Sequence, residues 1–127
     1  MSIQHLARSF PRGRRLLNSS EFARVFARGV RSADAYFVVI GVVDTRRNDI
    51  DMQQSRLGLA ISRKVAPRAV DRNRIKRIVR ESFRLAQAQW TDRHIDFVVM
   101  ARRATASTGN HALFHSLQRH WLRLSRD

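Results

Sequence analysis

The chain has 127 residues, and its 25 lysines and arginines outnumber its 10 acidic residues, which gives a formal net charge of +15. This length and 43% hydrophobic residues are enough to fill one core, so we expect one domain with a very basic surface. The absence of cysteine excludes disulfides and thiol catalysis, and the longest apolar stretch, residues 35–43, is less than half of the roughly 20 residues that span a bilayer.

The chain is expected to begin with a flexible basic arm, residues 1–13, and to continue as a single domain over residues 14–127. Because the arm has no apolar segment like that of a secretory signal, we expect a cytoplasmic protein with no membrane partner. Asn18 or Ser19 is expected to cap a first helix. Its apolar residues Phe22, Val25 and Phe26 recur at helical spacing before Gly29 ends it.

Two strands are predicted next, joined by a polar loop. Residues 36–43 are β-branched and aromatic, which is typical of a buried strand, and residues 44–54 are polar. Residues 56–62 alternate apolar and other residues, so they are predicted to form the antiparallel partner of the first strand. A further buried strand is predicted over residues 95–101.

Two longer helices are predicted after Pro67. Asp71 is expected to cap an arginine-rich helix that runs to about Trp90, and Asn110 is expected to cap a C-terminal helix. At 100° per residue the arginine-rich helix has an apolar stripe, Ile75, Ile78, Val79, Ser82, Phe83 and Ala86. Its opposite face carries Asn73, Lys76, Arg77, Arg80 and Arg84. The element order favours a two-layer α+β sandwich whose sheet is covered by helices on one side, with a right-handed crossover as the default.

The positive charge is concentrated in one part of the chain. Residues 56–84 contain ten basic and two acidic residues, a net charge of +8. Lys76 and Arg80 lie four positions apart on the arginine-rich helix, a spacing at which like charges repel. An ordinary solvated helix face usually mixes signs, so this face is predicted to bind an anion such as RNA.

Other chemistries have weaker support in the sequence. His111 and His115 have a spacing that can bind zinc, but no glutamate follows His111 and no acidic third ligand is near in the sequence. Asp49 and Asp51 lie in a polar loop beside arginines. Because no nucleophile has an evident base, we predict no catalytic residue and no metal site in the protein itself.

The sequence Arg72-Asn73-Arg74, followed by Ile-Lys-Arg and then Arg-Glu-x-Phe, resembles the RNR signature of the bacterial ribonuclease P protein subunit. The resemblance extends to Glu21-Phe22-x-x-Val25-Phe26-x-x-Gly29, to residues 56–65 and to residues 97–102, in the same order. It covers residues 14–124.

This resemblance implies a fold and a function. The fold would be an αβββαβα two-layer sandwich with a mixed sheet and a left-handed βαβ crossover, against the right-handed default. A third strand would lie around residues 33–37 or after the polar loop. The function would be that of the protein subunit of ribonuclease P, an endoribonuclease that removes the 5′ leader of precursor tRNA. The active site and its Mg²⁺ ions would belong to the RNA subunit, with one protein per RNA.

The resemblance also implies two binding surfaces. One would face the catalytic RNA, with Arg72, Asn73, Arg74, Lys76, Arg77 and Arg80. The other would bind the single-stranded leader, with Phe22, Phe26 and Phe37 as stacking residues and Ser62, Arg63 and Lys64 as a basic turn. Ile40 occupies a position that is often aromatic in the family, so no stacking is expected there.

Two alternatives remain open from the sequence. The chain could be a ribosomal or general RNA-binding module without a role in cleavage, since the same basic helix would bind other RNAs. It could also be an independent hydrolase, which would have to act without an RNA subunit.

Overall fold

The structure, a computed structural model, describes residues 19–43, 55–90 and 94–126. The predicted arm, residues 1–13, and the predicted polar loop, residues 44–54, lie outside these ranges. The helices and strands within them are α1 (Ser19–Arg28), β1 (Val30–Ala33), β2 (Phe37–Val43), β3 (Arg56–Ala60), α2 (Ala69–Ala86), β4 (Ile95–Ala101) and α3 (Asn110–Ser125). Short 3₁₀ helices follow α2 at Gln87–Trp90 and β4 at Arg103–Ser107. The α+β class and the αβββαβα order are therefore confirmed.

The four strands form one mixed sheet in the order β1-β2-β4-β3. β4 pairs antiparallel with β2 and parallel with β3, while β1 pairs antiparallel with β2 at one edge. The predicted antiparallel pairing of residues 36–43 with residues 56–62 is wrong, because β4 lies between them. β4 is apolar and buried along nearly its whole length, which suits a central strand better than an edge.

The third strand, β1, begins just before the stretch of residues 33–37 where the resemblance placed one. The chain then passes from β3 through α2 to its parallel neighbour β4, which is the expected βαβ crossover. The left hand of this crossover stays a prediction.

The two faces of the sheet are covered by different helices. Side chains alternate along β2, so Phe37 and Val39 pack in the large core with α2 and α3, while Val38 and Ile40 pack with α1. The expectation of helices on one side only is therefore wrong for α1. None of the helices in the described part of the chain has the length and apolar character needed to cross a bilayer.

The turn from α1 into β1 depends on a close approach to the sheet. The Gly29 backbone N–H donates to the Val25 carbonyl at 2.8 Å, and a Cβ at Gly29 would lie 2.3 Å from Ile40 Cγ2. A side chain there would have to displace Ile40, which is buried in the sheet. Glycine is therefore required for α1 to lie this near β2.

The core under α2 and α3 is built around four aromatic rings. Phe83, Trp90, Phe97 and Trp121 are buried, and their centroids are 4.9–6.1 Å apart in tilted and edge-to-face pairs. The Trp121 Nε1–H donates to Ser82 Oγ at 2.8 Å, which satisfies the indole inside the core. The predicted apolar stripe of the arginine-rich helix is confirmed as buried.

The predicted caps of α2 and α3 are wrong by three residues and by one residue, respectively, and Asn18 lies outside the described residues. α2 begins after Arg68, which puts Asp71 in its first turn, and α3 begins after Gly109, which makes Asn110 its first residue. An acidic residue in the first turn still stabilises the helix dipole, which is why the sequence signal at Asp71 resembles a cap.

Candidate nucleic-acid interface

The outer face of α2 is the most exposed part of the predicted RNA-binding motif. Asn73, Arg77 and Arg80 are exposed, and Lys76 is half-buried. The apolar stripe of the same helix is buried in the core. The helical period puts these polar residues on the opposite side of the helix, so they face solvent. Four of the six residues assigned to the catalytic RNA therefore share one outward face or its margin.

The two arginines of the RNR signature form hydrogen bonds within the protein. Arg72 Nη1 donates to the Ala66 carbonyl at 2.9 Å and to the Pro67 carbonyl at 2.8 Å, which holds the turn before α2. Arg74 donates to Asn110 Oδ1 at 2.6 Å and to the carbonyls of Thr105 and Thr108 at 2.9 and 3.1 Å. Arg74 thereby fastens α2 to the start of α3.

The predicted basic turn lies at the carboxyl end of β3. Ser62, Arg63 and Lys64 are exposed, and the turn is closed by the Val65 N–H, which donates to the Ser62 carbonyl at 3.2 Å. Because β3 and β4 are parallel, the residues that follow β4 lie at the same end of the sheet. Arg102 and Arg103 follow β4 and are exposed.

These last two arginines were not among the predicted site residues. The sequence does place them directly after a predicted strand. Only the parallel pairing of β3 with β4 shows that this strand ends beside the basic turn.

A groove of about 560 Å³ lies between the strand ends and α2. Leu59, Ile61 and Met100 give it apolar walls, and Ser62 and Lys76 give it polar ones. Met100 also packs against the apolar cluster under α1. At Met100, one wall of the groove therefore borders the face of the sheet that α1 covers.

The three predicted stacking residues differ in exposure. Phe26 is 48% exposed on α1, and Phe22 is half-buried against the cluster of Val25, Val38, Ile40 and Val98. Phe37 is wholly buried in the core on the opposite face of the sheet. The assignment of Phe37 to leader stacking is therefore corrected: alternation along β2 directs its ring toward α2 and α3. Ile40 is buried under α1, in agreement with the expectation that it does not stack.

A network of charged residues holds α1 on the sheet. The buried Asp96 carboxylate accepts two hydrogen bonds from Arg56, at 3.0 and 2.7 Å, and is also paired with Arg24. Arg56 in turn pairs with Glu21 of α1. Burial lowers the pKa of Arg56, but the hydrogen bonds and charge of Asp96, together with Glu21, outweigh it and raise the pKa. We call these four residues the α1 clamp.

Comparisons with known proteins agree on one family. A model of the family Ribonuclease P matches residues 10–125. The chain is 49% identical over 117 residues to the ribonuclease P protein component of Methylococcus capsulatus, which covers 92% of this chain and 85% of the relative. It is 37% identical over 118 residues to the ribonuclease P protein component of Escherichia coli O157:H7, and the match covers 93% of this chain and 92% of the relative.

Solved structures give the same result. The RNase P protein of Staphylococcus aureus is similar with a TM-score of 0.75 and 27% identity, covering 89% of this chain and 95% of that one. The RNase P protein of Thermotoga maritima is similar with a TM-score of 0.67 and 28% identity, and the match covers 80% of this chain and 89% of that one.

Proposed function

Since the chain belongs to the bacterial ribonuclease P protein family, we propose that it assists the Mg²⁺-dependent removal of the 5′ leader from precursor tRNA by binding both the catalytic RNA and the leader. The active site lies in the RNA subunit, and one protein acts with one RNA, in the cytoplasm. The protein reduces the repulsion between two polyanions and holds the leader, so that the scissile phosphate is better positioned.

The observation that carries this proposal is the division of α2 into two faces. One face is buried in the core, and the other presents Asn73, Arg77 and Arg80 to solvent. Arginine on a rigid helix suits phosphate, because the guanidinium is planar and donates two parallel hydrogen bonds. We assign this face, with Lys76 at its margin, to the catalytic RNA.

Arg72 and Arg74 have a different part in this assignment. Their guanidinium groups are hydrogen-bonded to carbonyl and amide oxygens of the chain, which orients α2 and the turn before it. Arginine has five N–H donors, so each keeps some capacity for phosphate. We propose that these two residues support the RNA-binding face by positioning it and contribute a smaller direct contact.

The leader is assigned to the face of the sheet that bears α1. Phe26 offers an exposed ring for stacking on a base, and Phe22 lies partly exposed one turn before it. The groove lined by Met100 and Ser62 leads from this face to Arg63 and Lys64, which would contact the leader phosphates. Arg102 and Arg103 extend the same basic area at the end of β4.

We assign Mg²⁺ mainly to the RNA. Asp96 is enclosed by the two arginines of the α1 clamp, and Asp34 accepts hydrogen bonds from the Ser116 hydroxyl and two backbone N–H groups. Carboxylates engaged in this way are poor ligands for a further cation. The described part of the chain contains no group of three His, Asp or Glu residues arranged for a metal ion.

Substitution can distinguish the proposed positioning role of Arg74 from the proposed RNA contact of Arg77. Arg77→Ala should weaken binding to ribonuclease P RNA and lower its salt dependence, with unfolding unchanged within about 0.5 kcal/mol, because its side chain is exposed. Arg74→Ala should destabilise the fold by about 1–2 kcal/mol, since it removes the hydrogen bonds to α3. Urea unfolding and RNA titration measure the two effects. Equal stability of the two variants would contradict the positioning role of Arg74.

The first test of the function is cleavage of a precursor tRNA by a bacterial ribonuclease P RNA at low Mg²⁺, with and without this protein, beside a protein-only control. We expect stimulation that requires the RNA. If the folded protein binds RNA in a salt-dependent way but does not stimulate cleavage, it is a general RNA-binding module. Cleavage by the protein alone would make it an independent hydrolase.

A further inference from the structure

A second group of arginines lies at the edge of the sheet farthest from β3. The strand order puts β3 and β1 at opposite edges, separated by three strand spacings, or about 14 Å. α2 packs near β3, and α3 packs on β1 and β2. The group around β1 comprises Arg28, Arg31, Arg119 and Arg123, all of them exposed. We call it the β1-edge surface.

These arginines approach the edge from both faces of the sheet. Arg31 is paired in register with Ile40, so it projects on the α1 side, close to the end of α1 at Arg28. Arg119 and Arg123 project from α3 one turn apart. The strand β1 thus has cations on both sides.

Two of the arginines are held at the edge by single contacts. Arg123 Nη1 donates to Ser32 Oγ at 3.0 Å, and Arg119 Nη2 lies 3.4 Å from Asp34 Oδ2. The Arg119 side chain is still 58% exposed. Because a guanidinium has five N–H donors, most of the donors of both residues remain available to an oxygen-rich anion. These contacts place both guanidinium groups beside β1.

The carboxylate that contacts Arg119, that of Asp34, is already engaged. Asp34 accepts hydrogen bonds from Ser116 Oγ at 2.5 Å and from the backbone N–H groups of Tyr36 and Phe37 at 2.8 and 2.9 Å. Burial raises its pKa, but these hydrogen bonds outweigh it and lower the pKa of Asp34 to about 2. Among the described residues, Arg28 and Arg31 have no carboxylate partner. The surface therefore keeps a large excess of positive charge.

We propose that the β1-edge surface binds the phosphodiester backbone of RNA, as a second contact separate from the face of α2. This inference rests on the proposed RNA-binding role, which supplies the polyanion, but it concerns a different edge of the molecule. Arginines that lie close together and repel one another are stabilised when phosphates lie between them. The two RNAs of the proposed function, the RNA subunit and the precursor tRNA, share this chemistry.

The experiment uses the full chain with Arg31→Gln, Arg119→Gln and the double variant. Arg68→Gln is the matched control, since it changes net charge equally at an exposed guanidinium that lies 4.0 Å from Asp71 and belongs to neither of the two surfaces. Affinity is measured against salt concentration for ribonuclease P RNA, and separately for precursor tRNA binding to the assembled holoenzyme. Thermal unfolding of each variant confirms that it is folded. Within the described residues the Arg31 side chain makes no hydrogen bond or ion pair, so Arg31→Gln keeps the test valid if Arg119→Gln is unstable.

We expect the slope of log affinity against log salt to fall by about 0.7–0.9 for each arginine, and by about twice that in the double variant, for at least one of the two RNAs. The RNA that shows the loss is the one bound at this edge. A slope change no larger than that of Arg68→Gln for both RNAs would overturn the proposal. The same variants are also titrated with phosphatidylglycerol vesicles, and a loss of vesicle binding without any loss for RNA would likewise overturn it.

Arg77→Gln in the same titrations separates this inference from the proposed function. A slope change at Arg77 without one at Arg31 and Arg119 rejects the β1-edge surface and leaves the α2 face in place. A slope change at Arg31 and Arg119 without one at Arg77 supports the β1-edge surface and rejects the α2 face as the docking site.

Discussion

The two faces of the sheet are held to their helices by different forces. On one face, α2 and α3 enclose four aromatic rings and most of the apolar core. On the other, α1 buries a small cluster around Val25, and the α1 clamp joins it to the strands through Asp96. The first face relies on apolar area and the second relies on a few charged contacts.

This difference means that the stability of the fold and the orientation of α1 depend on different contacts. Apolar burial is favourable in proportion to area and has little directional preference, so the α2 and α3 face should supply most of the free energy of unfolding. A buried charged group gains little net energy, because its attraction is offset by lost hydration, but it is sensitive to geometry. The α1 clamp should therefore fix where Phe22 and Phe26 lie more than it stabilises the whole fold.

The largest effect is expected in the aromatic core. Trp121→Ala should destabilise the protein by about 3–5 kcal/mol, because it leaves a cavity among Phe83, Trp90 and Phe97 and an unpaired Ser82 hydroxyl. Denaturant unfolding measures this loss. Leu122→Ala, the next residue on α3 and 49% exposed, is the control and should change stability by less than about 0.5 kcal/mol. Similar losses for the two would refute this view of the core.

A smaller loss of stability is expected at the α1 clamp. Asp96→Asn removes the charge that Arg24 and Arg56 share and should cost about 2 kcal/mol. It should also weaken binding of leader-bearing precursor tRNA more than binding of leaderless tRNA, since α1 loses its fixed orientation. Asp71→Asn removes a charge of the same kind in the first turn of α2 and is the control. If both variants affect the two substrates equally, the clamp does not orient the leader-binding face.

Substitution of Phe26 should weaken binding of the leader without changing the stability of the fold. Phe26→Ala removes an exposed ring, so unfolding should change by less than about 0.5 kcal/mol. Affinity for leader-bearing substrate should fall about fivefold or more, the loss expected for one stacked base. Leu85→Ala, which removes an exposed apolar side chain from α2, should leave this affinity unchanged. An equal loss for leaderless tRNA would argue against stacking by Phe26.

A further loss of stability is expected from acid, through the contacts between β1 and α3. Asp34 has a pKa of about 2 against 3.8 in the unfolded chain, so its contribution to stability is present above pH 3.8 and is lost as the pH falls toward 2. Burial lowers the pKa of His120, although the Asp34 carboxylate opposes the shift. The unfolded chain therefore binds a proton below pH 6.5 more readily than the folded protein, and stability declines from there as the pH falls.

Urea unfolding at several pH values measures this dependence. Asp34→Asn should remove the part between pH 3.8 and 2, and the part that begins below pH 6.5 should persist in that variant. An unchanged profile in Asp34→Asn would show that other groups cause the acid dependence.

The sequence predicted individual elements better than their pairing. The helical period in α2 identified its buried stripe, and the apolar runs identified β2 and β4. The sequence did not show that β4 lies between β2 and β3, because pairing depends on contacts between distant parts of the chain. The error at Phe37 has a related cause, since a fully apolar strand does not show which residues face which helix.

By itself, the sequence determined the basic character of the protein, the two-faced arginine-rich helix and the signature that places the chain in its family. Local spacing was enough for these, because each depends on residues within a few turns. Only the tertiary structure showed that Arg74 reaches Thr105 and Asn110, more than 30 positions away, and that Arg31 lies at the same edge as Arg119. A long arginine side chain can meet solvent, a carbonyl or a phosphate, and the folded arrangement of its neighbours decides which.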